Sequence, residues 1–211
     1  MKTEKELEKL VKEAEELEEK NREEIEIYLD YRSGKIKTIS EQDKWKSNDG
    51  YFAVRKAAAK WLEAEQYEKS LELYERTNDP KELVKAFYDF EDTGQKLISE
   101  RIRKKLMEDY ESNPDRFYSC RHNFANICVK TGELDKAYII YDQLWKKEIR
   151  TLNMVDLHGD PYSTKEDVDF YLHKSTEVRE EIQKRGGKVP KCDPLTEIEE
   201  AKLDSITDYG G

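Results

Sequence analysis

The stretches that decide the fold are AAAKWLEAEQYEKSLELYE at 57–75 and FANICVKTGELDKAYIIYD at 124–142. Laid over each other without a gap, at an offset of 67, they match Ala58 with Ala125, Tyr67 with Leu134, Ser70 with Ala137 and Tyr74 with Tyr141. In each copy a small residue is followed twelve positions later by another, and four further on by tyrosine. Two antiparallel helices approach closely only where side chains are small, and a large ring one turn on fills the space beside the contact. The pattern therefore predicts helix hairpins. A second alignment, DPKELVKAFYDF with NPDRFYSCRHNF, sets Pro80 and Pro114 apart by 34 residues, about half the larger offset. Each proline follows an Asx residue and precedes an apolar-periodic run, as suits the first turn of a helix, where a missing N–H costs nothing.

Read outward from these stretches, residues 51–150 form a body of helices at about 51–64, 67–77, 81–93, 95–112, 115–131 and 134–150. Before it, Leu7, Leu10, Ala14 and Leu17 make a narrow apolar stripe continued by Asn21 and Tyr28, in a charged amphipathic helix over 1–33. That stripe can pack on the body, on a second copy of the chain or on a partner. Residues 24–39 fit either a helix face or a hairpin closed at Ser33-Gly34. The helix reading is favoured, because one isolated hairpin is marginal, with Gly34 as its stop. Residues 34–50 then form a linker, with Ser47, Asn48, Asp49 and Gly50 as a capping cluster for the next helix. Residues 151–187 carry a Gly-Asp-Pro turn and a capping helix from Ser163, boxed by Glu166 and ended at Gly186-Gly187. Residues 188–211 are an acidic tail, with one more helix from Pro194 to Ile206.

Composition agrees. The 211 residues are 41% charged and 36% apolar, both shifted toward solvated helices, and only 9 Gly and 5 Pro leave little turn chemistry for a many-stranded fold. The net charge of −10 is concentrated in the flanks, −5 over 1–33 and −3 over 188–211. An acidic chain repels phosphate backbones, so nucleic acid is a poor default partner. The basic run Arg101, Arg103, Lys104 and Lys105 reads as a solvated helix face. No stretch approaches the roughly 18 apolar residues of a membrane span. The start has no apolar secretion core, and the expected location is the cytoplasm. Cys120, Cys128 and Cys192 lack metal-site spacing and read as reduced thiols.

The repeated spacing, with Gly132-Glu133-Leu134-Asp135-Lys136-Ala137 and Tyr141, resembles the tetratricopeptide repeat family. The resemblance implies an all-α stack of antiparallel helix hairpins in a right-handed superhelix, closed by the C-terminal capping helix. Its structural repeat positions are Ala58, Ser70, Tyr74, Ala125, Gly132, Ala137 and Tyr141. Val54, Arg121, Thr77 and Leu144 depart from the family pattern, and the middle hairpin puts Glu91 and Arg103 at both small-residue positions. In this family the first helix of each hairpin lines a groove, and in one subclass cationic and amide side chains clamp a peptide carboxylate. Carried over, the peptide-binding residues are Arg55, Lys56, His122, Asn126 and Lys130, which would hold an anionic peptide by charge-assisted hydrogen bonds.

Enzyme chemistry is not indicated. His122, His158 and His173 have no His or Cys partner at metal-ligand spacing, the glycines are isolated, and 48 acids make chance carboxylate pairs common. No cofactor or metal is expected. The expectation is a non-enzymatic scaffold or adaptor that binds a partner protein or peptide. The alternative is an acidic decoy that occludes a basic or nucleic-acid-binding surface of another protein.

Overall fold

The computed structural model describes residues 2–196, 200, 202 and 203, leaving aside the side chain of Gln42. Among them the chain is all-helical, with two isolated β-bridges, Leu152 to Ser163 and Val155 to Pro161, as its only extended pairing. It divides into two compact units, Met1–Ser119 and Cys120–Gly211. The boundary falls inside the body expected over 51–150.

In the first unit, α1 (Glu4–Lys20) opens on a capping box in which Thr3 accepts the Glu6 N–H and Glu6 answers the Thr3 backbone. The charged N-terminal helix is broken at Asn21, whose amide donates to the Leu17 carbonyl at 2.7 Å and ends α1 before α2 (Arg22–Arg32) begins. Both helices pack on α3 (Glu41–Glu63), so the apolar stripe is covered by the chain's own body. Gly34 follows α2 at φ 78°, the left-handed stop the sequence implies.

Helix α3 corrects the linker. Ser40 caps it, accepting the Asp43 N–H at 3.1 Å, and the helix runs unbroken through Ser47–Gly50. Gly50 is buried mid-helix because α2 crosses there. A Cβ at Gly50 would stand 2.0 Å from the Glu24 carbonyl oxygen and 2.8 Å from Tyr28 Cβ. The glycine that reads locally as a helix breaker is the point of closest approach between two helices.

Three hairpins follow: α3 with α4 (Tyr67–Arg76), α5 (Pro80–Asp92) with α6 (Lys96–Ser112), and, in the second unit, α7 (Arg121–Thr131) with α8 (Leu134–Thr151). Pro80 opens α5 as expected, with Asp79 capping Lys81. Asn113 makes no side-chain cap, and Pro114 opens a short 3₁₀ turn, Pro114–Phe117, instead of the helix expected from 115; α7 starts only at Arg121. In the middle hairpin Ser99 is the buried small residue, and its hydroxyl donates to Glu91 at 2.5 Å.

The first and third hairpins share more than their small residues. Glu65 and Gly132, 67 apart, both take left-handed φ, 58° and 85°. Each closes the same double-bonded turn: Glu65 N to Leu62 O with Gln66 N to Trp61 O, and Gly132 N to Val129 O with Glu133 N to Cys128 O. Ala58, Ser70, Ala125 and Ala137 are fully buried, with Tyr74 and Tyr141 beside them. The Ser70 hydroxyl donates to the Ala58 carbonyl at 2.8 Å, so the helices touch backbone to side chain where both residues are small.

In the second unit α9 (Lys165–Lys184) lies against α8, burying Trp145, Ile149, Leu152 and Val168 under Tyr171 and Leu172. Its capping box is Thr164 with Asp167, one residue after the expected Ser163 with Glu166. Ser163 is instead buried, and its hydroxyl bonds Glu148. Gly186 at φ 74° ends α9. Most of the helix expected over 194–206 lies outside the described residues; Glu200, Lys202 and Leu203 are helical.

Candidate functional sites

The residues carried over as a peptide clamp divide between the units. In the first, Arg55 projects from α3 toward α5. Its guanidinium donates to Tyr51 Oη at 2.8 Å and lies 3.4 Å from the carboxylate of Glu82, which is 1% exposed. Burial pushes the Glu82 carboxyl up, against the Arg55 charge that favours ionisation. Arg55 thus faces the buried Glu82 carboxyl, while Lys56 beside it is exposed. Around them, Tyr74 donates to Asp89 at 2.8 Å, Lys85 bonds both, and Tyr28 and Tyr74 are held protonated, first by burial and next by the neighbouring carboxylates Glu82 and Asp89 respectively. This polar network was not legible in the sequence, because Glu82 looks like any first-turn glutamate until α3 covers it.

In the second unit Tyr141 Oη donates to Asn126 Oδ1 at 2.6 Å, and the Asn126 amide lies 3.1 Å from His122 Nε2. The imidazole is ringed by Tyr141, Phe170 and Tyr171, with centroids 5.6–6.2 Å away. Burial, with Lys174 nearby, lowers its pKa. His122 and Asn126 of α7 therefore meet α8 through the Tyr141 hydrogen bond and α9 through ring contacts, and Lys130 lies exposed one turn on. Arg101 of the basic run pairs with Glu68 and Glu75, and Arg103 with Glu100. His158 is exposed in the loop after α8, its N–H donating to Asp156, and His173 pairs with Glu177 at 3.2 Å.

Two clefts stand out, one in each unit. The first, about 600 Å³, lies among α1, α2, α3 and α4 over Trp61, Ile25 and Leu73. Four of its five carboxylates are engaged within the unit, Glu15 by Lys69, Glu26 by Arg76, Glu19 by Arg22 and Glu18 by the Trp61 N–H, and Glu72 completes the acidic lining. Lys69 also rests 3.9 Å above the Trp61 ring. The second, about 450 Å³, lies between α8, the start of α7 and the strap 191–193. Arg121, Lys146, Lys147, Arg150 and Lys191 line it against Asp142 and Asp193. Its one thiol, Cys192, is pushed up to about 11 by burial and then by Asp142, which keeps it protonated and a poor nucleophile.

Among the described residues no three His, Cys, Asp or Glu side chains are grouped to hold a metal, and no helix is long and apolar enough to cross a membrane. Compared with models of known protein families, with curated proteins and with solved structures, the chain matches none.

Proposed function

We propose that this chain is a non-enzymatic interaction scaffold, a cytoplasmic adaptor of tetratricopeptide-like helix hairpins that binds a segment of a partner protein. The observation that carries this reading is the constant offset of 67 between two hairpins that repeat both a small-residue contact, Ala58/Ser70 and Ala125/Ala137, and a left-handed turn, Glu65 and Gly132. Repetition of the inner packing with divergence of the outer faces is how repeat proteins separate stability from recognition. The first helices of the two hairpins expose positions 56 and 130, both lysine, on their outer faces.

The acidic decoy draws less support. Glu13, Glu15, Glu18 and Glu26 of the acidic flank are bonded to Lys60, Lys69, Trp61 and Arg76 of the same unit. A photo-crosslinking residue placed in the full chain at Lys56, at Lys130 and, as a control, at the exposed Lys12 of α1 separates the readings. Salt-resistant adducts at 56 and 130 support the scaffold. Adducts at Lys12 alone, lost as salt rises, overturn it in favour of the decoy.

A further inference from the structure

Helix α3 has two faces of opposite character. Val54, Ala57, Ala58 and Trp61 are buried beneath the helices that pack on it. On the outer side the exposed positions 45, 52 and 59 follow one another at steps of seven, with 48, 49 and 56 beside them, so they draw a single stripe along a helix of 23 residues. The stripe holds two large rings in water. Trp45 is 74% exposed and Phe52 50%. Isolated exposed apolar residues are ordinary, but two aromatic rings two turns apart on one helix face make a contiguous surface of the kind that docks a protein.

Two turns beyond Phe52 the same stripe reaches a hole. Ala59 lies in a cleft of about 430 Å³ with Leu62 and Tyr67 as apolar walls and the Lys2–Glu65 ion pair, 3.9 Å long, at its rim. The space admits an indole ring. Trp45 of the same chain cannot fill it, because 14 residues of helix set the two positions about 21 Å apart.

This even spacing of knob, ring and hole selects the occupant. A second copy laid antiparallel on the stripe, with a two-fold axis at Phe52, brings Trp45 of each chain over Ala59 of the other, since 45 and 59 are equally far from 52. The two Phe52 rings then meet on the axis. An isologous contact has to be self-complementary in this way. Charge obeys the same symmetry: the exposed Asp49 and Lys56 lie on opposite sides of the axis, so each meets the other's counterpart in the second copy and two ion pairs form. At the ends each helix brings a glutamate and a lysine already paired, Glu41 with Lys44 and Glu63 with Lys60, so no net charge is set against its like. A different protein would have to reproduce a ring, a knob and a hole at the same intervals.

We propose that the outer face of α3 is the interface of a homodimer, an antiparallel pairing about Phe52 in which Trp45 of each copy enters the Ala59 cleft of the other. Helix α3 is about 34 Å long, and one helix pair with four buried rings falls near the lower end of the roughly 1,200–2,000 Å² of specific interfaces, so monomer and dimer exchange with a Kd of about 1–100 µM. The pairing does not depend on the scaffold reading.

Sedimentation equilibrium of the full chain, from about 2 to 500 µM, tests it across that range of Kd. The average mass is expected to rise from one chain to two. Trp45→Ala, which removes the knob, and Ala59→Glu, which fills the hole, each raise the Kd more than about tenfold. Both positions are exposed, so the far-UV circular dichroism of each variant should match the wild type. Leu97→Ala, which truncates a side chain 90% exposed on α6, leaves the Kd within about twofold. The charge pairs give a sharper reading. Asp49→Lys and Lys56→Glu each set like charges together twice and weaken their own dimers several-fold, whereas an equimolar mixture of the two restores wild-type association, because in the mixed dimer positions 49 and 56 again carry opposite signs. A chain that stays single over the whole range overturns the proposal and leaves the stripe to another protein. A dimer indifferent to Trp45→Ala and Ala59→Glu also overturns it, as does a mixture no tighter than its components. With a photo-crosslinking residue at position 56, a self-adduct of twice the chain mass is expected and is told from a partner adduct by its mass; its absence from a dimeric sample refutes the pairing.

Discussion

Replacing Gly50 with alanine sets two physical effects of opposite sign against each other. In a solvent-exposed helix interior the substitution stabilises by about 1 kcal/mol, because alanine loses less backbone entropy. At Gly50 the added Cβ would stand 2.0 Å from the Glu24 carbonyl oxygen, 2.6 Å from its carbon and 2.8 Å from Tyr28 Cβ. Two of these are backbone atoms, which no rotamer change can remove, so α2 must retreat by roughly 1.5 Å to reach van der Waals separation. That retreat loosens Ile25, Tyr28 and Leu29, which are 3–5% exposed. Each contributes about 1.5–3 kcal/mol by burial, and a gap of this size forfeits a quarter or more of the contact energy. The loss is about 2–4 kcal/mol, and the net effect after the alanine gain is a destabilisation of about 2 kcal/mol. For a unit of this size that lowers the melting midpoint by about 8 °C. Thermal unfolding of the full chain by far-UV circular dichroism measures it. A Gly50→Ala chain as stable as the wild type, or more so, refutes the crossing of α2 over α3 at Gly50.

Glu65→Gly is expected to stabilise by about 0.5–1 kcal/mol, since the left-handed turn it occupies favours glycine; urea titration reads the gain, and a loss would mean that the Glu65 side chain does more than tolerate its backbone. Ala125→Leu and Ala137→Leu are each expected to destabilise by about 1–3 kcal/mol through overpacking, and neutral melts for both would disprove the close hairpin contact. Glu82 supplies a pH dependence. Its folded carboxyl lies above the ordinary value of 4.5, so the folded state binds the extra proton and the stability it contributes is complete below 4.5 and lost as pH rises through the folded value. Urea titrations from about pH 4.5 upward should therefore show wild type losing stability relative to Glu82→Gln; parallel curves would show that the carboxyl is not raised.

The hairpins were legible because their signals are local. Small residues twelve apart, a tyrosine one turn on, and Pro80 behind an Asx cap specify helix faces and starts through contacts within a few residues. Asn21 could not be read as a break, because the apolar stripe runs through it and only its own amide, turned onto the Leu17 carbonyl, ends the helix. The cap before α9 was misplaced by one residue because Ser163 and Thr164 offer the same hydroxyl, and the choice fell to Glu148, which takes Ser163 inward. Of the carried-over clamp, Arg55, His122 and Asn126 contact Glu82, Tyr141 and the α9 aromatics, and Lys56 and Lys130 lie at exposed positions.

The second cleft had no signal in the chain. Lys146 and Asp193 are 47 residues apart, and each looks like one more member of a charge population that makes up 41% of the sequence. Periodicity determined that this protein is helical, where most helices begin and end, and which residues close two of its hairpins, since backbone hydrogen bonds and side-chain stripes repeat over three or four residues. Which charges are buried, that α2 crosses at a glycine, and that the 191–193 strap lies against Lys146 of α8 were decided only by tertiary structure. Those outcomes depend on desolvation and close approach between segments distant in the chain, and no local pattern encodes them.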